Sequence, residues 1–176
     1  MIRDYKSIVG AKVLEFDSGD LLAMVSGIIV DPDTGMVEAF WVKPATLPVG
    51  NAILRISDIL EFKKNLYIKS DKLLAQAEDV IRISEILEDG RAFLGNAVQN
   101  EAGHSYGTCV NLAFDTKTFA LKQIYSRRSI LGLITLDERI FSYNNIIKIL
   151  PEMILVNDDA TKKEVIMATM PEAATS

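Results

Sequence analysis

The sequence contains one cysteine, Cys109, and one histidine, His104. A single cysteine cannot form an intramolecular disulfide, and this pair is too small a set for a Cys/His zinc cluster. We therefore predict no metal site and no structural disulfide. The low cysteine content favours a reducing compartment, and we expect the protein to be cytoplasmic.

Long apolar runs and nucleotide-binding loops are also missing. The longest apolar stretches, residues 21–30 and 130–136, fall well short of the roughly 20 residues that span a bilayer. The charged N-terminus MIRDYKSIVG lacks the apolar segment of a signal peptide. We predict no membrane insertion, with peripheral contact to a membrane complex still possible. Without a glycine-rich phosphate loop, no cofactor is predicted.

Charge is distributed unevenly along the chain. The net charge is −1 over residues 1–70, −4 over 71–90, +2 over 91–156 and −2 over 157–176, giving −5 in total. Phosphate binding requires a concentrated basic face, and no region supplies one. DNA is therefore not expected as a partner.

The chain contains an internal repeat. Turn residues and apolar strand residues match at offsets of 85 and 84: Gly10 with Gly95, Val13 with Val98, Gly19 with Gly103, and Asp31 with Asp115. Further on, DILEF at 58–62 aligns with NIIKI at 145–149 at an offset of 87. Small insertions at loops are expected between two copies of one fold.

Each copy shows a β pattern of five or six short strands in about 60 residues. Turn signals such as DSG at 17–19 and DPDTG at 31–35 separate the strands. SDIL at 57–60 predicts one helical turn capped by Ser57 or Asp58. The sequence predicts an all-β fold made of two tandem small antiparallel β-barrels, residues 1–70 and 91–156.

Two segments lie outside these barrels. In residues 71–90 the apolar positions fall on one helical face, with a break predicted at IRIS, residues 81–84. We predict an acidic, partly helical connector that packs on a barrel, either as one helix or as two pieces. The C-terminal tail, 157–176, is predicted from its composition to be mobile, with docking of a short helix at VIMATM as the alternative.

The order of these turn and strand residues resembles the PRC-barrel domain family. The likeness covers roughly 9–69 and 94–156, and it is carried by Gly10, Val13, Asp17 and Gly19 in the first copy and by the Gly103/Gly107 spacing in the second. The family includes the barrel of the photosynthetic reaction centre H subunit and that of a ribosome maturation factor. The resemblance implies an interaction module that docks on protein or ribonucleoprotein surfaces, without catalytic residues.

The residues capable of catalysis have simpler interpretations. His104 follows a turn glycine and is predicted to be an exposed turn residue, because catalysis would need a nucleophile or carboxylate directed at it. Cys109 aligns with Val25 on an apolar strand and is predicted to be a buried structural cysteine. We therefore predict that the protein is not an enzyme.

A few side chains are candidates for contact with a partner. Trp41 is predicted either to lie in the core or to face outward as an interface anchor. Arg127 and Arg128 are interpreted either as a solvated loop or as partner contacts. We expect a protein partner and an adaptor function, with the binding surface on the outer strands and the groove between the barrels. The alternative is a ribosome- or RNA-assembly factor that uses Arg127, Arg128, Arg139 and Lys148.

Overall fold

The computed structural model describes residues 1–46, 50–130 and 134–157, together with the backbone of 161–162. The first part of the chain contains β1 (Ile2–Asp4), α1 (Tyr5–Ile8), β2 (Lys12–Glu15), β3 (Leu21–Val30), β4 (Val37–Pro44), β5 (Ala52–Arg55), β6 (Ile59–Phe62), β7 (Leu66–Ile68) and α2 (Ile81–Asp89). The second contains β8 (Ala97–Gln99), β9 (Ser105–Asp115), β10 (Leu121–Ile130), β11 (Ile134–Ser142), β12 (Ile146–Ile149), β13 (Met153–Val156) and β14 (Thr161–Lys162).

The protein is mostly β, as predicted, and its strands form two sheets, one of them curled into a half-barrel. The first sheet has the strand order β5-β4-β3-β2-β7-β6. The second has the corresponding order β11-β10-β9-β8-β13-β12, with β14 added beside β11 and β1 beside β9. The two copies of the repeat therefore share one strand order.

The prediction of purely antiparallel sheets is wrong for one pair in each sheet. β2 pairs in parallel with β7, and β8 pairs in parallel with β13. The cause is the short 3₁₀ turn that follows β5, Ile56–Asp58, and its counterpart after β11, Tyr143–Asn145. Since the chain does not reverse at this turn, the hairpin that follows returns its last strand parallel to the first.

The 3₁₀ turn after β5 also differs from the sequence prediction in its capping. Ser57 and Asp58 lie inside the turn, and the N-cap residue is Arg55, which makes no side-chain capping bond. The carboxylate of Asp58 instead accepts a hydrogen bond from Nε of Arg55 at 2.7 Å. The predicted helical turn is present, whereas the predicted cap is wrong.

The connector packs on the first sheet, as predicted. Two 3₁₀ turns, Asp71–Leu73 and Ala77–Asp79, precede α2. The connector is in pieces, and the break lies at Val80, directly before residues 81–84, which themselves form the start of α2. On α2, Ile83 and Ile86 are buried against apolar residues of β3, β4 and β5. This tertiary burial outweighs the weak helix propensity of the β-branched residues.

The hairpin turns of the two sheets bind each other reciprocally. The backbone N–H of Val37 donates to the carbonyl oxygen of Phe119, and the N–H of Leu121 donates to that of Gly35, both at 2.8 Å. Val37 and Leu121 are equivalent in the repeat, as are Gly35 and Phe119. The contact therefore has an approximate twofold relationship between the copies.

The two halves also share one hydrophobic core. Phe40 and Phe62 of the first half lie with their ring centroids 6.1 and 6.3 Å from that of Phe114 in the second. In addition, β1 pairs antiparallel with β9 of the second sheet, a pairing not anticipated from the sequence. The predicted mobile tail at 157–176 lies outside the described residues, apart from Asn157 and the backbone of β14.

Candidate functional site

An apolar groove lies where β3, the end of α2 and the second half of the chain meet. Its volume is about 230 Å³. We call it the junction groove; the residues that matter most for its chemistry are Ile28, Val30, Trp41, Leu87, Arg91 and Phe93. Leu112 of β9 also borders it, so both halves of the chain contribute to the wall.

Trp41 is placed by the alternation of β4. Phe40 is fully buried in the shared core, so the indole of Trp41 lies on the opposite face of the sheet, where it is half-buried. The indole covers Gly27, at which an added Cβ would lie 3.0 Å from Cδ1 of Trp41. Trp41 combines the two predicted placements, because it lies opposite the shared core and in the groove wall but packs on the second hydrophobic cluster, between the sheet and the connector.

Ion pairs fix the connector to the turn after β3. Arg82 of α2 pairs with the buried carboxylate of Asp31, and Nη1 of Arg91 lies 2.8 Å from an oxygen of Asp33. Arg91 also pairs with Asp89 at 2.6 Å, and these two carboxylates raise its pKa. Ion pairs thus join the start of α2 and the residues just after it to one turn.

Asp31 is the most enclosed carboxylate of this arrangement. Burial raises its pKa, but this effect is exceeded by a hydrogen bond from the Thr34 hydroxyl at 2.7 Å, one from the Asp33 backbone N–H at 2.9 Å, and the charge of Arg82. The net result is a pKa below the ordinary value. Asp31 therefore acts as an ionised anchor for the connector, and DPDTG is a turn, as predicted.

The predicted basic residues do not form one patch. Arg127 lies within β10, so the loop interpretation is wrong, and its guanidinium pairs with Glu138 on β11 at 2.6 Å. Arg139 pairs with Asp137 at 2.7 Å and lies over the Tyr106 ring, 5.9 Å from its centroid.

The other two predicted cations lie apart from these ion pairs. Arg128 is exposed on β10, one residue beyond Arg127. Lys148 is exposed on β12, at the far end of the sheet order from β10 and β11. It borders a second, more polar cavity of about 390 Å³, where Arg91 and Tyr143 also lie. The structure therefore brings no cluster of these four cations together.

The predicted exposure of His104 and the predicted burial of Cys109 are confirmed. His104 is exposed in its turn, with its ring 4.9 Å from that of Tyr106. Cys109 is buried, and burial raises the pKa of its thiol to about 12. Such a thiol is protonated at neutral pH and is a poor nucleophile.

Two further findings concern the described part of the chain only. Within it, no three His, Cys, Asp or Glu side chains are grouped so that they could hold a metal ion. Neither of its α-helices combines the length and the apolar character needed to cross a lipid bilayer.

Sequence reasoning missed most residues of the junction groove. Leu87, Arg91 and Phe93 lie at and after the end of the connector, for which the sequence predicts packing on a barrel beside the groove but no individual binding residue. One signal was present in the repeat, since Phe93 aligns with Ile8 at an offset of 85. Both residues are buried in the shared core just before a turn glycine.

No protein-family model matches the chain, and a search of curated proteins finds no significant match.

Proposed function

We propose that the protein is a non-enzymatic, cytoplasmic adaptor that binds another protein through the junction groove. One observation carries the proposal: Trp41 is half-buried in an apolar groove whose wall is held in place by ion pairs. Tryptophan in a partly desolvated pocket is typical of interface hot spots. The groove contains no nucleophile with a neighbouring base, so its chemistry suits binding.

We further propose that each half is a PRC-like barrel and that the two function as one interaction module. The support is the common strand order, with the same parallel pair and the same 3₁₀ turn in each copy. Residues of both halves, among them Ile28 and Leu112, line the groove, so a single copy lacks it.

The charge arrangement favours a protein over RNA. Arg127 and Arg139 are each paired with a carboxylate, which reduces the positive potential available to phosphates. The connector beside the groove carries a net charge of −4, which repels a polyanion. An RNA-assembly factor that uses Arg127, Arg128, Arg139 and Lys148 remains the alternative outcome of the test.

The test is a quantitative pull-down from the native host with mass spectrometry, with and without nuclease. Leu87→Arg places a charge on an exposed residue of the groove, and Leu60→Arg is the matched control on β6, outside the groove. We expect capture of a protein partner that nuclease treatment does not reduce. The Leu60→Arg variant should still capture this partner, and the Leu87→Arg variant should not. Nuclease-sensitive capture that is lost on reversing Arg127 and Arg128 to Glu would establish the alternative.

A further inference from the structure

One edge of β3 is open beside the junction groove. The pairing of β2 with β3 ends at Met24, and the bonds of the next residue, Val25, go to residues 10 and 11 just before β2: its N–H donates to Ala11 and its carbonyl accepts from Gly10. Beyond that point, residues 28–30 pair with β4 on one side only. Within the described ranges, no strand pairs with the other edge of these residues.

The equivalent edge in the second sheet is occupied. There β1 pairs antiparallel with β9, with Ile2 opposite Asp115, Arg3 opposite Phe114 and Asp4 opposite Ala113. At the repeat offset of 84, these β9 positions correspond to residues 29–31. In the described part of the chain, the equivalent backbone edge is therefore paired with a strand in one copy and with no strand in the other.

The open edge faces the groove directly. Ile28, Ile29 and Val30 all border the groove, although successive side chains of a strand point to opposite faces of the sheet. Three consecutive residues can do this only if the backbone edge itself faces the space. An extended segment placed in the groove would therefore lie alongside β3 as β1 lies alongside β9.

The chain does not fill this edge itself because its local structure differs between copies. β1 precedes Gly10, and the corresponding stretch before Gly95 is taken up by α2, which ends at Asp89, and by the residues that follow. Ala92 and Phe93 border the groove and belong to no strand.

We propose that the junction groove receives an extended segment of a partner protein as an added antiparallel strand on residues 28–30 of β3. This inference rests on the proposed function and names the form of the partner. Backbone hydrogen bonds to β3 provide the affinity, and one apolar side chain of the segment packs on Trp41 and Leu87. A basic residue beside it complements the acidic connector, where Glu85 and Glu88 are exposed.

The experiment uses a displayed library of random eight-residue peptides, selected on the full chain. Peptides that also bind the Leu87→Arg variant are discarded, and Leu60→Arg serves as the matched control. Binding is followed by the fluorescence of Trp41, the only tryptophan in the chain, so the signal reports on the groove. Each selected peptide is then resynthesised with N-methyl groups on alternate residues, in both possible phases.

Strand addition predicts a difference between the two phases. In one phase, the methyl groups replace amide hydrogens that would otherwise bond to β3. We expect the dissociation constant of that peptide to rise about tenfold or more. In the other phase the amides point away, and the change should stay within about threefold. Amide hydrogen exchange of residues 28–30 should slow in the complex.

The two hypotheses fail in different ways. Peptides that bind the groove with equal affinity in both methylated forms would overturn strand addition while supporting the adaptor function. If no peptide depends on Leu87 and the host pull-down also shows no Leu87-dependent partner, then the proposed function is wrong.

Discussion

Gly35 and Phe119 occupy equivalent positions in the two hairpin turns, and both have left-handed backbone conformations, with φ of 67° and 58°. Glycine adopts this conformation freely, whereas it costs other residues about 1–2 kcal/mol. The ring of Phe119 stacks with Phe62 and Phe114 at centroid distances of 6.2 and 6.3 Å. This packing across the two halves offsets the backbone strain.

We expect two substitutions at Phe119 to separate strain from packing. Phe119→Ala removes the ring and keeps the strained backbone, so it should lower the free energy of unfolding by about 3 kcal/mol. Phe119→Gly removes the ring and relieves the strain, and it should be more stable than the Ala variant by about 1 kcal/mol. Urea unfolding measures both. Equal stability of the two variants would show that the turn is not strained.

Gly35 should not tolerate a side chain. A Cβ built there would lie 2.6 Å from the hydroxyl oxygen of Tyr143, and its φ is already unfavourable for alanine. We expect Gly35→Ala to lower the free energy of unfolding by about 2–3 kcal/mol. Adding Tyr143→Ala should recover part of this loss by removing the clash. A fully additive double mutant would contradict the contact between Gly35 and Tyr143.

The Asp31 anchor predicts a dependence of stability on acid pH. Because its pKa is lowered in the folded state, the stabilisation is complete above the ordinary aspartate pKa and is lost as the pH falls through the lowered value. Asp31→Asn should cost about 1–3 kcal/mol near pH 7, and the difference from the wild type should shrink below about pH 4. Arg82→Ala, which leaves the Thr34 and Asp33 bonds intact, should cost less. Guanidinium unfolding at several pH values measures how this stability difference changes with pH. A difference that stays constant with pH would show that ionised Asp31 does not anchor the connector.

The cross-strand pair of Arg127 and Glu138 predicts unequal effects of charge reversal. Arg127→Glu places two carboxylates opposite each other and should destabilise the protein by about 1 kcal/mol, whereas Arg128→Glu should change stability by less than about 0.5 kcal/mol. Adding Glu138→Arg to the Arg127→Glu variant should restore the lost stability. Thermal unfolding at low salt provides the readout, and the absence of rescue would exclude an energetic role for the pair.

Cys109 should be unreactive in the native protein. Its thiol is buried with a pKa raised to about 12, so a thiol reagent at neutral pH should modify it only when the structure opens. Cys109→Ala should cost about 1 kcal/mol of stability, as expected for removing a small apolar group. Ellman's reagent, with and without denaturant, tests the first expectation. Fast modification of the folded chain would contradict burial.

The sequence predicted the features that depend on neighbouring residues. Strand alternation and turn chemistry located the hairpins, the exposure of His104 and the burial of Cys109. The parallel strand pairs and the pairing of β1 with β9 were missed, because those contacts join residues far apart in the chain. The partner of Arg127 was missed for the same reason, since it depends on the register between β10 and β11.

The groove could be predicted only in part. Trp41 was recognised as a candidate anchor from its residue type and its alternation with Phe40. Its neighbours Leu87 and Phe93 come from a connector whose path over the sheet depends on tertiary packing and on the ion pairs of Arg82 and Arg91. No local pattern encodes that path.

The pairing of β1 with β9 has a consequence for the order in which the protein folds during synthesis. Every strand pairing of the first sheet is complete once residue 68 has emerged, but β1 must wait for residues 113–115. Until the second half arrives, Phe40 and Phe62 have each other but lack the ring of Phe114, so we expect the nascent first half to expose an apolar face that favours aggregation. The beginning of the chain is thus among the last parts to form its native contacts.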